Sequence, residues 1–378
     1  MSSPSPLRTA LLALPMLGLT AFMLFGGKPP SSWQAGLALA ATYVFLNALF
    51  ILMLHTGKTD RWRSILFVTY GLLFIVSFIS HLIEVRGTMV LTHDTYLKGE
   101  TPFCHIVIPM TLIPAALTKT IIFPGTIVGS FASIASMFVI WIGASLALGR
   151  GWCSWGCFFG GLDDGFSRVL GRPVLKNLSR RWADLPFAVL LVIVIWSAAS
   201  LSPVYCDWLC PFKAVTEFSE VLTALDVVKT GIFLTLFLAF VVVLPVLTKK
   251  RMQCAGLCPF GAFQSGANWV NPFEVRIDAA LCSKCGLCLQ RCPTFSISEE
   301  SLAQGRTQST CLKCGQCVDV CPKKAARFHV RGTAAGPELA RLLFLYPAFL
   351  FFATFAGGNL QDGLTRILRL VSTGRMLG

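Results

Sequence analysis

Long runs of apolar residues alternate with short polar segments along most of the chain. A helix needs about 20 predominantly apolar residues to cross a hydrocarbon core of roughly 30 Å. The segments that meet this requirement are residues 11–26, 35–54, 64–83, 126–148, 185–201 and 231–247. A seventh segment, residues 342–357, is shorter and contains Pro347. The pattern predicts an α-helical polytopic membrane protein with six or seven transmembrane helices.

Proline interrupts the apolar stretch between the third and fourth of these segments. Residues 106–124 are apolar but contain Pro109, Pro114 and Pro124. Proline removes a helix hydrogen bond, and irregular backbone at membrane depth must be surrounded by protein or water. We therefore predict a re-entrant or interfacial element near residues 103–124 instead of a full crossing.

Charged residues are few, and their distribution indicates an orientation. Of the 378 residues, 54% are hydrophobic and 13% are charged, with a formal net charge of +14. Lysine and arginine cluster after the second, fourth and sixth apolar segments, which is one side of an alternating topology. By the positive-inside rule, that side is the cytoplasmic face of a bacterial inner membrane. Because no basic stripe with interleaved aromatics occurs, membrane lipid and not nucleic acid is the expected partner.

The most specific chemical motif is C-x2-C-x2-C-x3-C-P, which occurs twice. This is the spacing of bacterial two-cluster ferredoxins, in which the fourth cysteine of each run ligates the other cluster. The first predicted [4Fe–4S] cluster is held by Cys282, Cys285, Cys288 and Cys321. The second is held by Cys311, Cys314, Cys317 and Cys292. The alternative is a pair of zinc ribbons, because C-x2-C also suits tetrahedral zinc.

Six further cysteines form three C-x3-C pairs in the apolar part of the chain. Residues four apart on a helical turn share a face, so each pair can present two thiolates to one metal centre. Two pairs follow the fourth and sixth apolar segments and are expected at the cytoplasmic interface, where they predict a third iron–sulfur cluster on Cys153, Cys157, Cys254 and Cys258. The alternative is buried cysteine with a purely structural role.

The remaining pair, Cys206 and Cys210, is expected on the opposite side of the membrane. Cys104 and His105 begin the proline-interrupted element at a similar depth. These four residues are candidates for a fourth site near the outer face. A disulfide between Cys206 and Cys210 is the competing interpretation, since the exterior is oxidising.

The chain resembles the NapH, NosR and CcoG group of polytopic iron–sulfur proteins between about residues 149 and 331. The resemblance is carried by G-R-G-W-C-S-W-G-C, by C-A-G-L-C-P-F-G-A-F and by the ferredoxin cysteines that follow. It implies electron transfer between quinol or cytoplasmic donors and a partner, commonly a periplasmic reductase or a metal-site maturation system. The group's membrane-interface cysteines then correspond to Cys153, Cys157, Cys254 and Cys258.

These observations divide the chain into four parts. Residues 1–148 form N-terminal membrane helices, and residues 149–270 form the membrane region with the three cysteine pairs. Residues 271–332 form a small α+β ferredoxin domain on the cytoplasmic side, and residues 333–378 form a hydrophobic segment followed by an amphipathic helix.

Transmembrane electron transfer through iron–sulfur clusters is the predicted function, with other electron-transfer subunits or a periplasmic redox protein as partners. Two alternatives stay open: a redox maturation or assembly factor for a metalloenzyme, and a quinol-oxidising subunit of an oxidoreductase complex, for which a quinone would be a further cofactor.

Overall fold

The computed structural model describes residues 5–27, 29–84, 104–120, 134–176, 178–216 and 223–375. Helices dominate these ranges. The helical segments in them that are long and apolar enough to cross a membrane are Pro6–Phe25, Trp33–Thr56, Arg180–Ser200, Ala224–Thr248 and Pro337–Thr373. The predicted class, a polytopic helical membrane protein, is therefore confirmed, and the number of spans agrees approximately.

The N-terminal helices are α1 (Pro6–Phe25), α2 (Trp33–Thr56) and α3 (Thr59–Glu84). Helix α2 ends at Gly57, whose φ of +69° is a left-handed conformation that glycine adopts readily. This short turn lets α3 begin two residues later and pack back. Between α1 and α2, the Asn47 amide donates to Thr20 Oγ1 at 3.0 Å, a buried polar contact of the kind that joins apolar helices.

The third and fourth predicted spans are not among the membrane-length helices found in the described residues. Residues 64–83 lie within α3, which has 26 residues but is not among the five spanning candidates. The fourth predicted span ends in α5 (Ile134–Leu148), and its residues 126–133 lie outside the described residues.

The proline-interrupted element contains a short helix. A 3₁₀ turn at His105–Val107 leads into α4 (Ile108–Thr118), which has 11 residues and contains Pro114. A helix of that length covers roughly 16 Å, about half of the hydrocarbon core. The helix is too short for a crossing, while its re-entrant placement stays a prediction; Pro124 lies outside the described residues.

Each cysteine pair lies in a tight turn next to an apolar helix. Cys153 lies in α6 (Trp152–Trp155) and Cys157 caps the N-terminus of α7 (Phe158–Phe166). The other two pairs lie at the π-helical turns Tyr205–Leu209 and Gln253–Leu257. Such π turns are rare and frequent at functional sites. The intervening helices are α8 (Leu185–Ser200), α9 (Lys213–Thr216), α10 (Ala224–Leu236), α11 (Leu244–Thr248) and α12 (Pro259–Val270).

The ferredoxin segment is a small α+β unit. Strand β1 (Phe273–Ile277) pairs antiparallel with β2 (Ala326–Val330), so the strands join the two ends of the segment, with Val275 opposite Phe328. Three short helices lie between them: α13 (Leu287–Arg291), α14 (Glu299–Ala303) and α15 (Gln316–Val320).

The C-terminal region differs from the prediction. Residues 342–357 and the expected amphipathic helix belong to one 37-residue helix, α16 (Pro337–Thr373), which runs through Pro347. The aromatic rings of Phe344, Phe349 and Phe352 on this helix are fully buried. Phe349 and Phe352 pack on Phe50 of α2 and Tyr70 of α3. This tertiary packing holds the helix together across the proline, which sequence periodicity alone does not reveal.

Candidate metal centres

The eight ferredoxin cysteines divide into two sets of four in the structure. One small cavity is lined by Cys282, Cys285, Cys288 and Cys321, and a second is lined by Cys292, Cys311, Cys314 and Cys317. In each cavity, the fourth cysteine comes from the other sequence run. The structure thus brings together the same two sets that the spacing predicts.

The two cysteine loops repeat one backbone conformation. In C-x-K-C-G, the residues Lys284 and Lys313 have φ of +55° and +51°, and the following Gly286 and Gly315 have φ of +73° and +87°. Two left-handed residues on either side of a cysteine bend each loop around its cavity, and at Gly315 a side chain would also press against Thr59 and Asp60. The repeated bend is a physical reason for each C-x2-C-x2-C run to enclose one centre.

The two sets differ in exposure. Cys285 of the first set is exposed, whereas Cys314 and Cys317 of the second set are buried. Burial raises the pKa of the Cys314 thiol to about 12, because a thiolate is poorly stabilised away from water. A bound metal centre would replace those protons and supply the missing positive charge.

The donor sets fit polynuclear clusters better than single ions. Among the described residues, which include all fifteen cysteines, no three His, Cys, Asp or Glu side chains converge closely enough to hold one metal ion. A zinc ion needs all its sulfur ligands at about 2.3 Å. A cubane attaches each thiolate to a different iron and therefore accepts a wider set.

The second cysteine loop of the ferredoxin segment docks on the membrane region. Ser154 Oγ donates to Leu312 O at 2.6 Å, and Trp155 Nε1 donates to Lys313 O at 3.4 Å. In the opposite direction, from the ferredoxin loop to the membrane region, the Lys313 ammonium donates to Leu148 O at 3.0 Å and to the Asn268 side chain. Burial lowers the pKa of Lys313 to about 7. Cys314 consequently packs in the same apolar cluster as Cys153, Cys157 and Cys258.

Helix α3 contributes a second set of docking contacts. Its first-turn N–H groups at Thr59, Asp60 and Arg61 donate to the Asp319 carboxylate at 2.9 to 3.2 Å, so a ferredoxin side chain caps a membrane helix. Burial raises the pKa of Asp319 to about 6, and the backbone donors oppose that rise.

Arg63 lies at the centre of this interface. Its side chain is 1% exposed, and it donates to Cys314 O at 3.2 Å and to Ser154 O at 3.0 Å. The same guanidinium pairs with Asp60 at 2.8 Å and Asp164 at 3.1 Å. In the sequence, Arg63 is only one of the basic residues after the second apolar segment, and its spacing does not predict this role.

The four cysteines predicted at the interface are all buried. Cys153, Cys157 and Cys258 pack in one apolar cluster with Trp152 and Phe260. Cys153 and Cys157 are also close enough to interact electrostatically with Cys254. The same two cysteines interact electrostatically with Cys258. The structure therefore gathers the two pairs that sequence analysis combined.

Two buried arginines and two glycines complete this four-cysteine site. Arg251 Nη2 donates to Cys153 O at 2.7 Å and to Cys254 Sγ at 3.1 Å. Arg150 Nη2 donates to Cys254 O at 3.0 Å. Gly160 and Gly261 leave the space that the guanidinium groups occupy. The motif R-x2-C-x3-C-x2-G, which occurs at both pairs, was the sequence signal for these residues.

The remaining candidate site residues lie at two different positions in the structure. Cys206 and Cys210 are within electrostatic range of Cys104, and all three pack against the apolar cluster that contains Cys157 and Cys258. The third pair is thus adjacent to the four-cysteine site, which the topology argument did not predict. In the structure all fifteen cysteines are free thiols, so no disulfide joins Cys206 and Cys210.

His105 was grouped with the outer candidates, but the structure places its ring on the four-cysteine site. Its Nε2 lies 3.1 Å from Cys157 Sγ, and the ring packs on Trp152, Phe159 and Phe260. The two sequence neighbours thus have different partners, because His105 contacts Cys157 while Cys104 interacts with Cys206 and Cys210.

Comparison with known proteins agrees with this division. A 4Fe-4S dicluster domain model matches residues 274–332. A 4Fe-4S binding domain model matches three times, at residues 130–177, 183–224 and 230–276. Each of the three matches contains one C-x3-C pair, so the membrane region is a threefold sequence repeat.

These domains, the cysteine sets and the apolar helices together fit the class of polytopic membrane [4Fe–4S] electron-transfer proteins. Among curated proteins, the chain is 28% identical over 187 residues to YccM of Escherichia coli (strain K12), which is named for electron transport. It is 27% identical over 188 residues to the methylamine utilization ferredoxin-type protein MauN of Methylobacillus flagellatus. The matches cover 47% and 50% of this chain, and 50% and 62% of the two relatives. No solved structure matches.

Proposed function

We propose that the protein conducts electrons along a row of protein-held iron–sulfur centres between the membrane surface and the membrane interior. The observation that carries this proposal is the packing of Cys314 in one apolar cluster with Cys153, Cys157 and Cys258. [4Fe–4S] clusters, when bound, supply one-electron oxidation and reduction. The protein supplies the spacing, the burial and the charges around them.

The proposed ligands follow the structural sets. Cys282, Cys285, Cys288 and Cys321 hold the first cluster, and Cys292, Cys311, Cys314 and Cys317 hold the second. Cys153, Cys157, Cys254 and Cys258 hold a third cluster, which we call the interface cluster. The exposed position of Cys285 supports the first set as the end that meets a soluble partner, because the second set is covered by the membrane region.

Cys104, Cys206 and Cys210 are proposed to hold a fourth centre. Three thiols close enough to interact electrostatically favour a polynuclear centre over a disulfide, which would use only two of them. Their packing against the apolar cluster of the interface site supports a continuation of the row. The partner on that side would be another electron-transfer subunit or a periplasmic redox protein.

Iron and acid-labile sulfide in anaerobically purified protein test the number of centres. We expect about twelve iron atoms per chain for three four-iron clusters, and up to about sixteen if the fourth site also holds a cubane. A value near eight would remove the interface cluster from the proposal. Zinc in place of iron would remove all of the clusters.

We also propose that the ferredoxin domain, residues 271–332, lies on the cytoplasmic side of the bacterial inner membrane. The proposal is supported by the basic loops that follow the even-numbered spans and by the contact of Arg63 and Arg150 with the cysteine loops on that side. Trypsin should cleave at exposed Lys284 and Arg306 in inside-out vesicles and leave them intact in spheroplasts. Cleavage in spheroplasts alone would mean that the ferredoxin domain lies on the outer side of the membrane.

A quinol is the second candidate electron donor, because a suitable cavity lies beside the first cysteine set. The cavity has a volume of about 950 Å³ and lies at the start of α1, the end of α2 and the start of α16, and its walls include Cys321, His55 and Arg341. Apolar Leu12, Leu54 and Leu342 also line it, as a ring with an isoprenoid tail requires. A soluble quinol analogue should bleach the visible absorbance of the protein, and His55→Gln should slow this bleaching. Unchanged absorbance with excess quinol would mean that the electron donor is another protein and not a quinol.

A further inference from the structure

Two fully buried arginines occupy equivalent positions in two of the three sequence repeats. Arg150 lies three residues before Cys153, and Arg251 lies three residues before Cys254. Their exposed fractions are 1% and 0%. A buried guanidinium is costly unless its charge and its N–H groups are compensated. The groups that surround both side chains therefore indicate which part of the protein the two arginines stabilise.

The two side chains are exchanged between the repeats. Arg150, from the first repeat, donates to the carbonyl of Cys254 in the third repeat at 3.0 Å. Arg251, from the third repeat, donates to the carbonyl of Cys153 in the first repeat at 2.7 Å. Each arginine thus holds the backbone of the first cysteine in the other repeat, and the two contacts are related as by a twofold axis.

Glycine makes this exchange possible at matching positions. Gly160 follows Cys157 by three residues, and Gly261 follows Cys258 by three residues. A Cβ at Gly160 would clash with Arg251 Nη2, and one at Gly261 would lie 3.2 Å from Arg150 Nη2. In the middle repeat the corresponding positions are Pro203 and Lys213. The exchanged pair is therefore confined to the two repeats that share the interface site.

The charges around the arginines are not balanced by protein acids alone. Asp163 is the nearest carboxylate to Arg251, at 4.0 Å, and one of its oxygens also accepts from Cys254 N–H at 3.0 Å. Asp164 is already paired with Arg63 and Arg168. The groups Arg150 Nε, Arg251 Nε and Arg251 Nη1 are buried without a hydrogen-bond partner.

We propose that Arg150 and Arg251 are the charge-balancing and positioning residues of the interface cluster, each carried by one repeat and serving the cysteine loop of the other. Four thiolates on a four-iron core carry a net charge of about −2 when oxidised, and nearby positive charge favours the more negative, reduced form. Arg251 has the larger effect, because it also donates to Cys254 Sγ at 3.1 Å. The proposal rests on the proposed function of the four cysteines.

Redox titration of the interface cluster, followed by electron paramagnetic resonance, tests the proposal in the full-length protein. Replacing Arg251 with Met in an Asp163→Asn background should lower the midpoint potential relative to Asp163→Asn alone, because that comparison removes one positive charge and leaves no unpaired Asp163 carboxylate. We expect at least a tenfold change in the ratio of reduced to oxidised cluster at fixed ambient potential, which is about 59 mV for one electron. Arg251→Lys keeps the charge and should recover most of the potential while altering the line shape, because lysine lacks the fork that holds two acceptors.

Arg172→Met is the matched control, since Arg172 is exposed in the segment that follows the first cysteine pair. It should change neither the potential nor the line shape. If the interface cluster is present and the Arg251→Met variant titrates as its Asp163→Asn parent does, the arginine proposal is wrong while the proposed function stands. If wild-type protein contains no interface cluster, the proposed function itself fails. Loss of iron in the Met variant with retention in Arg251→Lys supports the positioning role.

Discussion

Replacing Cys153 and Cys254 with serine is expected to remove about four iron atoms per chain and to leave the two ferredoxin clusters in place. The two cysteines come from different repeats, yet each lies within electrostatic range of the other. Serine has nearly the same size, so the buried packing around Trp152 should persist, while an alkoxide is a poor ligand for iron. The loss should therefore be confined to one cluster.

Iron analysis and electron paramagnetic resonance of the dithionite-reduced protein measure this result. Cys206→Ser is the matched control, because it changes a cysteine of the same spacing that belongs to the other site. The control should retain the interface signal. Electron flow to an acceptor on the outer side should stop in the double variant and continue in the wild-type protein. An iron content equal to that of wild type would show that these four cysteines do not hold a cluster.

Replacing Arg63 with Met is expected to weaken docking of the ferredoxin domain by about 3–5 kcal/mol, the usual effect of removing one partner from a buried ion pair. The variant leaves Asp60 and Asp164 without their most buried partner. It also removes the donors to the carbonyls of Cys314 and Ser154. The second cysteine set should then separate from the interface site.

Limited proteolysis of the intact protein measures the docking equilibrium. Cleavage within residues 271–332 should accelerate roughly 100-fold or more, because each 1.4 kcal/mol is a factor of ten. Arg168→Met is the matched control: Arg168 pairs with the same two acids, at 2.7 and 3.2 Å, but is 30% exposed. Equal acceleration in both variants would mean that the loss of charge balance, and not the contact with the cysteine loop, undocks the domain.

Local spacing predicted the same grouping of the ferredoxin cysteines that the structure shows. The eight ferredoxin cysteines were assigned to two groups from their register, and the same groups line two cavities in the structure. Short loops with glycine and proline leave few conformations, so the sequence carries this information almost completely. Hydropathy was similarly informative for α1 and α2, whose apolar length reports directly on the membrane.

Sequence patterns did not predict the features that depend on contacts between distant segments, or predicted them only in part. The apolar segment 342–357, which contains Pro347, was expected to be separate from the amphipathic helix, but packing of α16 against α2 and α3 holds both as one helix. His105 was grouped with its neighbour Cys104, but its ring contacts Cys157. In both cases the deciding contact joins residues far apart in sequence, which no local pattern specifies.

The sequence by itself therefore determined that this is a helical membrane protein with iron–sulfur domains, because apolar length and cysteine spacing act over a few residues. Only the tertiary structure decided that Ser154 of the membrane region binds the second cysteine loop, and that Arg150 and Arg251 are exchanged between repeats. Two copies of one motif are equivalent in sequence. They become different only when buried hydrogen bonds and charges from distant segments must be satisfied at one of them.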